Sequence, residues 1–163
     1  MRPDLLLRYL RKKQTKDNKK RFEQKNLQFS VDSLYDLNYM GDANPDHNLD
    51  IHSPQNATGE LPVLLVIHGG GYTQCEKFIN DAYSKVFAEK GYRVVNMNYS
   101  LQPEADFIEV MREIFAALHW IEANAQKYGF DCSHIFVTGD SAGGHYAMLV
   151  AAIQKSVQLQ EYY

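Results

Sequence analysis

Cysteine is scarce in this sequence, and long hydrophobic runs are absent. Only Cys75 and Cys132 occur among the 163 residues, and they do not form a Cys-x-x-Cys pair. Two isolated cysteines do not suffice for a disulfide framework, a structural zinc site or a dithiol redox site. No stretch reaches the roughly 20 apolar residues that span a bilayer, and Arg8 interrupts the short run that resembles a signal-peptide core. We therefore expect a cytoplasmic protein with no membrane span, no metal and no cofactor.

Positive charge is scarce outside the N-terminal end. Residues 1–25 hold ten Lys and Arg against three acids, a net charge of +7, whereas residues 26–163 carry −10 and the whole chain −3. A basic arm can contact nucleic acid or an anionic membrane, or it can be a solvated helix or linker. Because the aromatic and glycine pattern of an RNA-binding module is missing, we expect no nucleic-acid partner. We interpret residues 1–25 as a basic arm or cap helix that the acidic body itself can bind.

Strand and helix patterns alternate along residues 26–163, which predicts one α/β domain with a mainly parallel sheet. Leu61–Ile67 is a nearly unbroken apolar run, typical of a strand that is covered on both faces. Helical spacing predicts a long helix from Pro103 to Gly129. The other predicted strands are residues 29–35, 47–52, 92–98 and 134–138, and the other predicted helices are residues 76–90 and 141–154.

Residues 139–143 read Gly-Asp-Ser-Ala-Gly, a G-x-S-x-G motif between a predicted strand and a predicted helix. A nucleophile elbow requires that context, because a strained turn exposes the serine hydroxyl while small neighbours let strand and helix pack closely. The start of the helix also directs N–H groups and the positive end of its dipole toward developing negative charge. A plain strand–loop–helix turn is the alternative. The pattern predicts that Ser141 is a nucleophile.

A second glycine-rich motif, His-Gly-Gly-Gly-Tyr at residues 68–72, directly follows the apolar strand. Glycines let such a loop approach a substrate closely and direct backbone N–H groups at the oxyanion of an acyl-transfer intermediate. A phosphate-binding loop is the alternative. The sequence lacks the G-x-G-x-x-G spacing of a dinucleotide fold and the Gly-Lys-Ser/Thr of a P-loop, so we favour an oxyanion loop.

With both motifs in order, residues 49–152 resemble the hormone-sensitive-lipase-like branch of the α/β-hydrolases, a group of carboxylesterases and acetyl esterases with an HGGG loop. Residues 99–105, Tyr-Ser-Leu-Gln-Pro-Glu-Ala, are similar to a family segment in which arginine stands where this chain has Ser100. Residues 128–131 and the Gly-Asp-Ser-Ala-Gly-Gly-His stretch at 139–145 match the family's approach to the elbow. The resemblance implies a three-layer α/β-hydrolase fold and a small-molecule ester substrate.

The resemblance also implies roles for individual residues. Ser141 becomes the nucleophile of a carboxylic-ester hydrolase that acts on short-chain acyl or acetyl esters through an acyl-serine intermediate. The backbone N–H groups of Gly70, Gly71 and Ala142 become the oxyanion hole. Asp140 adjoins the nucleophile and cannot reach behind a histidine, so we expect it to shape the elbow turn rather than to serve as the catalytic acid.

The acid and the histidine of a catalytic triad have no counterpart here. In this fold both follow the serine along the chain, yet only 22 residues follow Ser141, with Glu161 as their only acid and His145 as their only histidine. His145 lies in the predicted helix that starts at the serine, so we expect it to pack near the sheet. His68 belongs to the oxyanion loop and is expected to support its structure. The remaining histidines lie in contexts that offer no triad geometry: His47, His52, His119 and His134.

We therefore expect an incomplete hydrolase that lacks the C-terminal strands and is inactive by itself. Without a neighbour, the apolar strand at residues 134–138 forms an open sheet edge with neither charge nor proline at Ile135, Phe136 and Val137. Such an edge favours self-association. It also supports an alternative function, a non-catalytic truncated product or binding module that pairs with a partner through the edge.

Overall fold

The computed structural model describes residues 27–161 and, before them, Arg11, Lys13, Lys16 and Asp17. Most of the predicted arm, residues 1–25, therefore lies outside the described residues. The strands are β1 (Val31–Asn38), β2 (Asn48–Pro54), β3 (Leu61–Ile67), β4 (Arg93–Met97) and β5 (Phe130–Gly139). The helices are α1 (Asp81–Glu89), α2 (Phe107–Ala123), α3 (Ala125–Tyr128), α4 (Ala142–Ile153) and α5 (Val157–Gln160), with short 3-10 turns at Pro45–His47 and Lys77–Asn80.

The five strands form one sheet in the order β1-β2-β4-β3-β5. β3 runs parallel to β4 on one side and to β5 on the other. β2 runs antiparallel to both β1 and β4. The expectation of a mainly parallel sheet is therefore corrected to a mixed sheet in the described part of the chain. The parallel part, which holds the two motif loops, lies at the β5 side.

Helices cover both faces of the sheet. Successive side chains of a strand point to opposite faces, so each strand contributes to both cores. On β3, Val63, Leu65 and Ile67 belong to the large core that includes α2 and α4. The alternate residues Leu64 and Val66 pack in a smaller core that includes Ala88 of α1. The apolar run was thus correctly predicted to be a strand covered on both sides, and the three-layer arrangement is confirmed.

The long helix predicted from Pro103 begins later and is divided. Asp106 caps α2, since its Oδ1 accepts from the Glu109 N–H at 2.8 Å while Glu109 Oε2 accepts from the Asp106 N–H at 2.7 Å. This capping box satisfies two N–H groups at the helix start and outweighs the preference of proline for a first turn. α3 is a separate turn that Gly129 ends at φ 68°.

The last strand of the sheet, β5, is longer than predicted and forms an open edge. Its register to β3 passes from Pro62↔Asp131 to Val63↔Ile135, so three residues bulge out before the apolar part of the strand. Among the described residues β5 pairs with β3 alone. Phe136 on this strand is 49% exposed. Unpaired backbone groups beside an exposed aromatic ring favour association with another chain.

We predict that the purified chain self-associates and that Phe136→Lys raises its solubility, because a charge on an edge strand opposes strand pairing. Sedimentation velocity at several concentrations measures the effect. Ile108→Lys is the matched control, since Ile108 is as exposed as Phe136 but lies on α2. Equal gains in solubility from both variants, or a wild-type monomer at every concentration, would contradict association through the edge.

Candidate active site

Ser141 lies in the tight turn between β5 and α4. Its backbone adopts φ 49° and ψ −116°. Residues other than glycine rarely adopt this conformation, which costs about 1–3 kcal/mol. The residue is exposed, and its side chain caps no N–H group of α4. The hydroxyl is therefore presented to solvent at the start of a helix, as a nucleophile elbow requires.

Two glycines make this turn possible. A Cβ at Gly139 would lie 2.4 Å from the carbonyl carbon of Gly143, and a Cβ at Gly143 would lie 2.1 Å from the carbonyl oxygen of Ile67. Both distances are far below van der Waals contact, and both involve backbone atoms that cannot turn away. The expected close packing of strand and helix at the elbow is thus confirmed.

The oxyanion-loop candidate leaves the sheet beside this elbow. Ile67 and Gly139 are register partners at the ends of parallel strands, so residues 68–72 and the elbow emerge at the same edge. Asp140 joins the two loops, since its Oδ1 accepts from the Gly69 N–H at 2.9 Å and from Asn80 Nδ2 at 3.5 Å. Asp140 thus makes structural hydrogen bonds, in keeping with the role expected for it.

The glycines of the loop take conformations that favour glycine, with φ 130° at Gly70 and φ 58° at Gly71. The carbonyl of Gly70 accepts from the N–H groups of Thr73 and Gln74, both at 3.2 Å. In the part of the chain that the structure describes, none of the loop or cap backbone hydrogen bonds uses the N–H groups of Gly70, Gly71 or Ala142. These three predicted oxyanion donors lie on the adjoining loop and elbow and remain available.

Gly70 and Gly71 differ in the space around them, which gives a matched test of the loop. A Cβ at Gly70 would lie 2.0 Å from the carbonyl oxygen of Gln74, whereas a Cβ at Gly71 would meet nothing within 4 Å. We predict that Gly70→Ala displaces the loop and lowers the free energy of unfolding by about 2 kcal/mol or more. Gly71→Ala bears only the conformational penalty, about 1 kcal/mol. Urea unfolding compares the two variants, and equal losses would contradict this account of the loop.

His68 packs beneath the glycine loop, beside Tyr99. Its ring is buried and stacks on Tyr99, with ring centres 4.2 Å apart, and the Tyr99 hydroxyl donates to the His68 carbonyl at 2.7 Å. Its Nδ1 lies 2.7 Å from the Gly69 carbonyl oxygen, so Nδ1–H is the donor. Burial lowers the pKa of His68 to about 4. The imidazole is therefore neutral at pH 7 and structural, as the sequence predicted.

Lys77 anchors the segment that follows the glycine loop, and its side chain is largely buried. Its Nζ donates to Asp36 at 2.8 Å and to Asp50 at 2.6 Å. Its N–H donates to Asn98 Oδ1 at 2.6 Å, and its carbonyl accepts from Asn96 Nδ2 at 2.8 Å. Every polar group of Lys77 is thereby bound to β1, β2 or the β4 region. Sequence reasoning missed this anchor, because nothing in the spacing of the charged residues pairs them.

The pKa values of this ion pair show opposing influences. Burial works against the charge on Lys77, yet hydrogen bonds to Asp36 and Asp50 hold the pKa of its ammonium above the usual value. Burial raises the pKa of Asp50, although Lys77 acts in the opposite direction. Each charge is therefore tolerated in the interior only because the other is present.

His145 differs from expectation. The sequence predicts packing near the sheet, but the residue is exposed. Its Nδ1 lies 3.0 Å from the hydroxyl oxygen of Tyr72, the residue that follows Gly71. Its ring also lies near Phe107, with centres 5.7 Å apart. The one histidine that follows Ser141 in the sequence thus contacts the residue that ends the glycine loop.

One described residue of the basic arm reaches the same region. Arg11 Nη1 pairs with Glu104 Oε2 at 2.7 Å, and Nη2 donates to the Gln102 carbonyl. The Gln102 N–H donates in turn to the carbonyl of Tyr72 at 2.9 Å. Arg11 of the predicted arm thus contacts the segment that holds Gln102 and Glu104.

No catalytic base accompanies Ser141 in the described part of the chain, where no hydrogen bond joins its hydroxyl to a histidine. His47 lies between Asp42 at 2.7 Å and Glu113 at 3.2 Å, and His52 Nδ1 lies 2.8 Å from Ser33 Oγ. Nor do three His, Cys, Asp or Glu side chains converge as a metal site among the described residues.

One family model, BD-FAE, matches residues 49–163, a stretch that includes the glycine loop and the elbow. The chain belongs to the BD-FAE family. Carboxylesterase NlhH of Mycobacterium tuberculosis is 32% identical to this chain over 108 residues. These residues are 66% of this chain and 34% of NlhH. Human hormone-sensitive lipase is 32% identical over 99 residues, 60% of this chain and 9% of the lipase.

Solved structures agree with the family. Esterase B from Lactobacillus rhamnosis superposes on this chain with a TM-score of 0.87 at 33% identity. The match covers 96% of this chain and 51% of esterase B. The fold is therefore the α/β-hydrolase fold, as predicted. The chain spans about half the length of esterase B and about a third of the length of NlhH. Within the described residues, no helix has both the length and the apolar character needed to cross a bilayer.

Proposed function

We propose that this chain supplies the nucleophile and the oxyanion hole of a serine carboxylic-ester hydrolase that acts on short-chain acyl or acetyl esters. The observation that carries the proposal is the strained, exposed Ser141 at the same sheet edge as the glycine loop. The esterase relatives support the reaction class. The substrate is a small ester, and no cofactor takes part in the proposed chemistry.

In the proposed reaction, the Ser141 Oγ attacks the ester carbonyl carbon while a base takes the hydroxyl proton. The oxyanion of the tetrahedral intermediate accepts hydrogen bonds from the N–H groups of Gly70, Gly71 and Ala142, each worth about 2.7–4 kcal/mol in the transition state. Collapse of the intermediate breaks the ester C–O bond and releases the alcohol as it takes up a proton. Water then hydrolyses the acyl-serine and releases the acid.

A serine hydroxyl without a base is a poor nucleophile at neutral pH. Because no histidine side chain is hydrogen-bonded to the Ser141 hydroxyl in the described residues, we propose that the chain by itself turns over esters very slowly. The hydrogen bonds of Asp140 to Gly69 and Asn80 also support leaving this carboxylate out of the catalytic groups.

A chimera tests the proposal. The chain is fused ahead of the part of esterase B that follows the matched region, where this fold carries its acid and histidine loops. We predict that the chimera hydrolyses p-nitrophenyl acetate and butyrate faster than the decanoate, and that Ser141→Ala lowers kcat by at least about 10⁴-fold. The 163-residue chain is the control without a base. Equal activity in the Ser141→Ala chimera would contradict the assignment of the nucleophile.

The open edge of β5 favours a second candidate, a non-catalytic binding module. Phe136 is exposed on that edge, and Met148 on α4 is 74% exposed. In this alternative the edge strand pairs with a strand of a partner and the elbow has no reaction to perform. A folded chimera that lacks activity dependent on Ser141 would favour it.

A further inference from the structure

Tyr72 and His145 connect the glycine loop to α4 by a side-chain contact. The Tyr72 hydroxyl lies 3.0 Å from His145 Nδ1. Tyr72 directly follows Gly71, and His145 lies one helical turn after Ser141, to whose carbonyl its own N–H donates at 3.1 Å. The contact therefore joins the end of the glycine loop to the first turn of the helix that begins at the nucleophile.

The backbone of Tyr72 is held in an unfavourable conformation. Its φ is 64°, which a residue with a large side chain adopts only where its surroundings hold it. Three contacts do so: the Gln102 N–H donates to its carbonyl at 2.9 Å, its ring meets the ring of Tyr146 edge-on at 5.6 Å, and its hydroxyl bonds to His145. The hydroxyl contact is the only one of the three that reaches an exposed side chain of α4.

We propose that Tyr72 and His145 form a latch that fixes the oxyanion loop relative to Ser141, with His145 as a positioning residue. The Tyr72 hydroxyl and His145 Nδ1 share one hydrogen bond, in which a phenol hydroxyl can donate and a ring nitrogen can accept. In this proposal His145 acts through Tyr72, by holding the loop in place. The inference rests on the proposed function, because a small displacement of oxyanion donors costs rate only where an oxyanion forms.

Amide hydrogen exchange on the intact 163-residue chain tests the latch without any need for activity. The N–H groups of Thr73 and Gln74 are bonded within the loop and report on its opening. We expect Tyr72→Phe and His145→Leu each to speed their exchange by about two- to tenfold. Amides of Leu61–Ile67 show whether the fold is intact and are expected to stay unchanged.

Tyr83→Phe is the matched control, since Tyr83 is exposed on α1. It removes a tyrosine hydroxyl elsewhere and is expected to leave loop exchange unchanged. His145→Asn retains an acceptor on the side chain. The Thr73 and Gln74 amides are therefore expected to exchange more slowly in this variant than in His145→Leu. Unchanged exchange of Thr73 and Gln74 in Tyr72→Phe would overturn the latch.

The chimera adds a kinetic test of positioning. We expect Tyr72→Phe and His145→Leu each to lower kcat about tenfold with KM within about twofold, and the double variant to be no slower than either single variant. Effects that multiply, or that appear in KM alone, would overturn the pairing. If the parent chimera shows no hydrolysis dependent on Ser141, the proposed function fails, while the exchange measurement still decides the latch.

Discussion

Replacing Lys77 with methionine is expected to lower the free energy of unfolding by about 3–5 kcal/mol. Methionine fills a similar volume but leaves the carboxylate of Asp50 without a cation, and breaking a buried ion pair from one side costs that amount. The side chain of Asp50 is only 4% exposed. It would retain the hydrogen bond from the Asp36 N–H at 2.9 Å, which does not offset a buried charge. Urea unfolding with global fluorescence and circular dichroism measures the loss.

Lys85→Met is the matched control for this experiment. Lys85 forms an ion pair with Asp81 four residues earlier on α1, with Asp81 about a third exposed, and such pairs contribute less than about 1 kcal/mol. Asp50→Asn combined with Lys77→Met is expected to recover part of the stability, because the pair is removed together. If Lys77→Met cost no more than Lys85→Met, Lys77 would not be an anchor of the fold.

Stability is expected to fall as the pH decreases from about 6.5 toward 4. Burial lowers the pKa of both His52 and His68 to about 4, whereas an unfolded histidine has a pKa of about 6.5. Between about pH 6.5 and 4 these two histidines bind protons in the unfolded chain but not in the folded chain, so lowering the pH lowers the free energy of the unfolded state relative to that of the folded state. The slope approaches about 1 kcal/mol per pH unit for each histidine, and above 6.5 it vanishes.

Urea unfolding between pH 7.5 and 5.5 measures this dependence. Burial raises the pKa of Asp50 and Asp46, so these carboxyls oppose the trend at more acidic pH. His68→Gln is expected to reduce the slope by about half, because it removes one of the two histidines that stay unprotonated in the folded chain. His119→Gln, at an exposed position of α2, is expected to leave it unchanged. A flat profile across this range would show that the two imidazoles are protonated in the fold.

The strands, most helices and both glycine motifs could be predicted from the sequence because their signals are local. Leu61–Ile67 is apolar at every position but one, and the glycines of the elbow stand at fixed offsets from Ser141. What could not be predicted depends on contacts across the chain. Lys77 meets partners 27 and 41 residues away, and no periodicity encodes that pairing.

The misplaced features have similar causes. α2 begins at Phe107 because the side chains of Asp106 and Glu109 cap it, and a capping box competes with the proline signal at Pro103. His145 is exposed although its neighbour Tyr146 on α4 is fully buried. The apolar character of this helix on all sides left the buried face undefined in the sequence.

The order of the strands bears on how the protein folds during synthesis. β4 pairs with both β2 and β3, which do not pair with each other. Until β4 leaves the ribosome, the described strands of the nascent chain are the β1–β2 hairpin, which is marginally stable alone, and an apolar β3 without a partner. The 25 residues between the end of β3 and the start of β4 take roughly 1–5 seconds to translate at about 5–20 residues per second. During that interval we expect β3 to be prone to association with other chains, until β4 pairs with it.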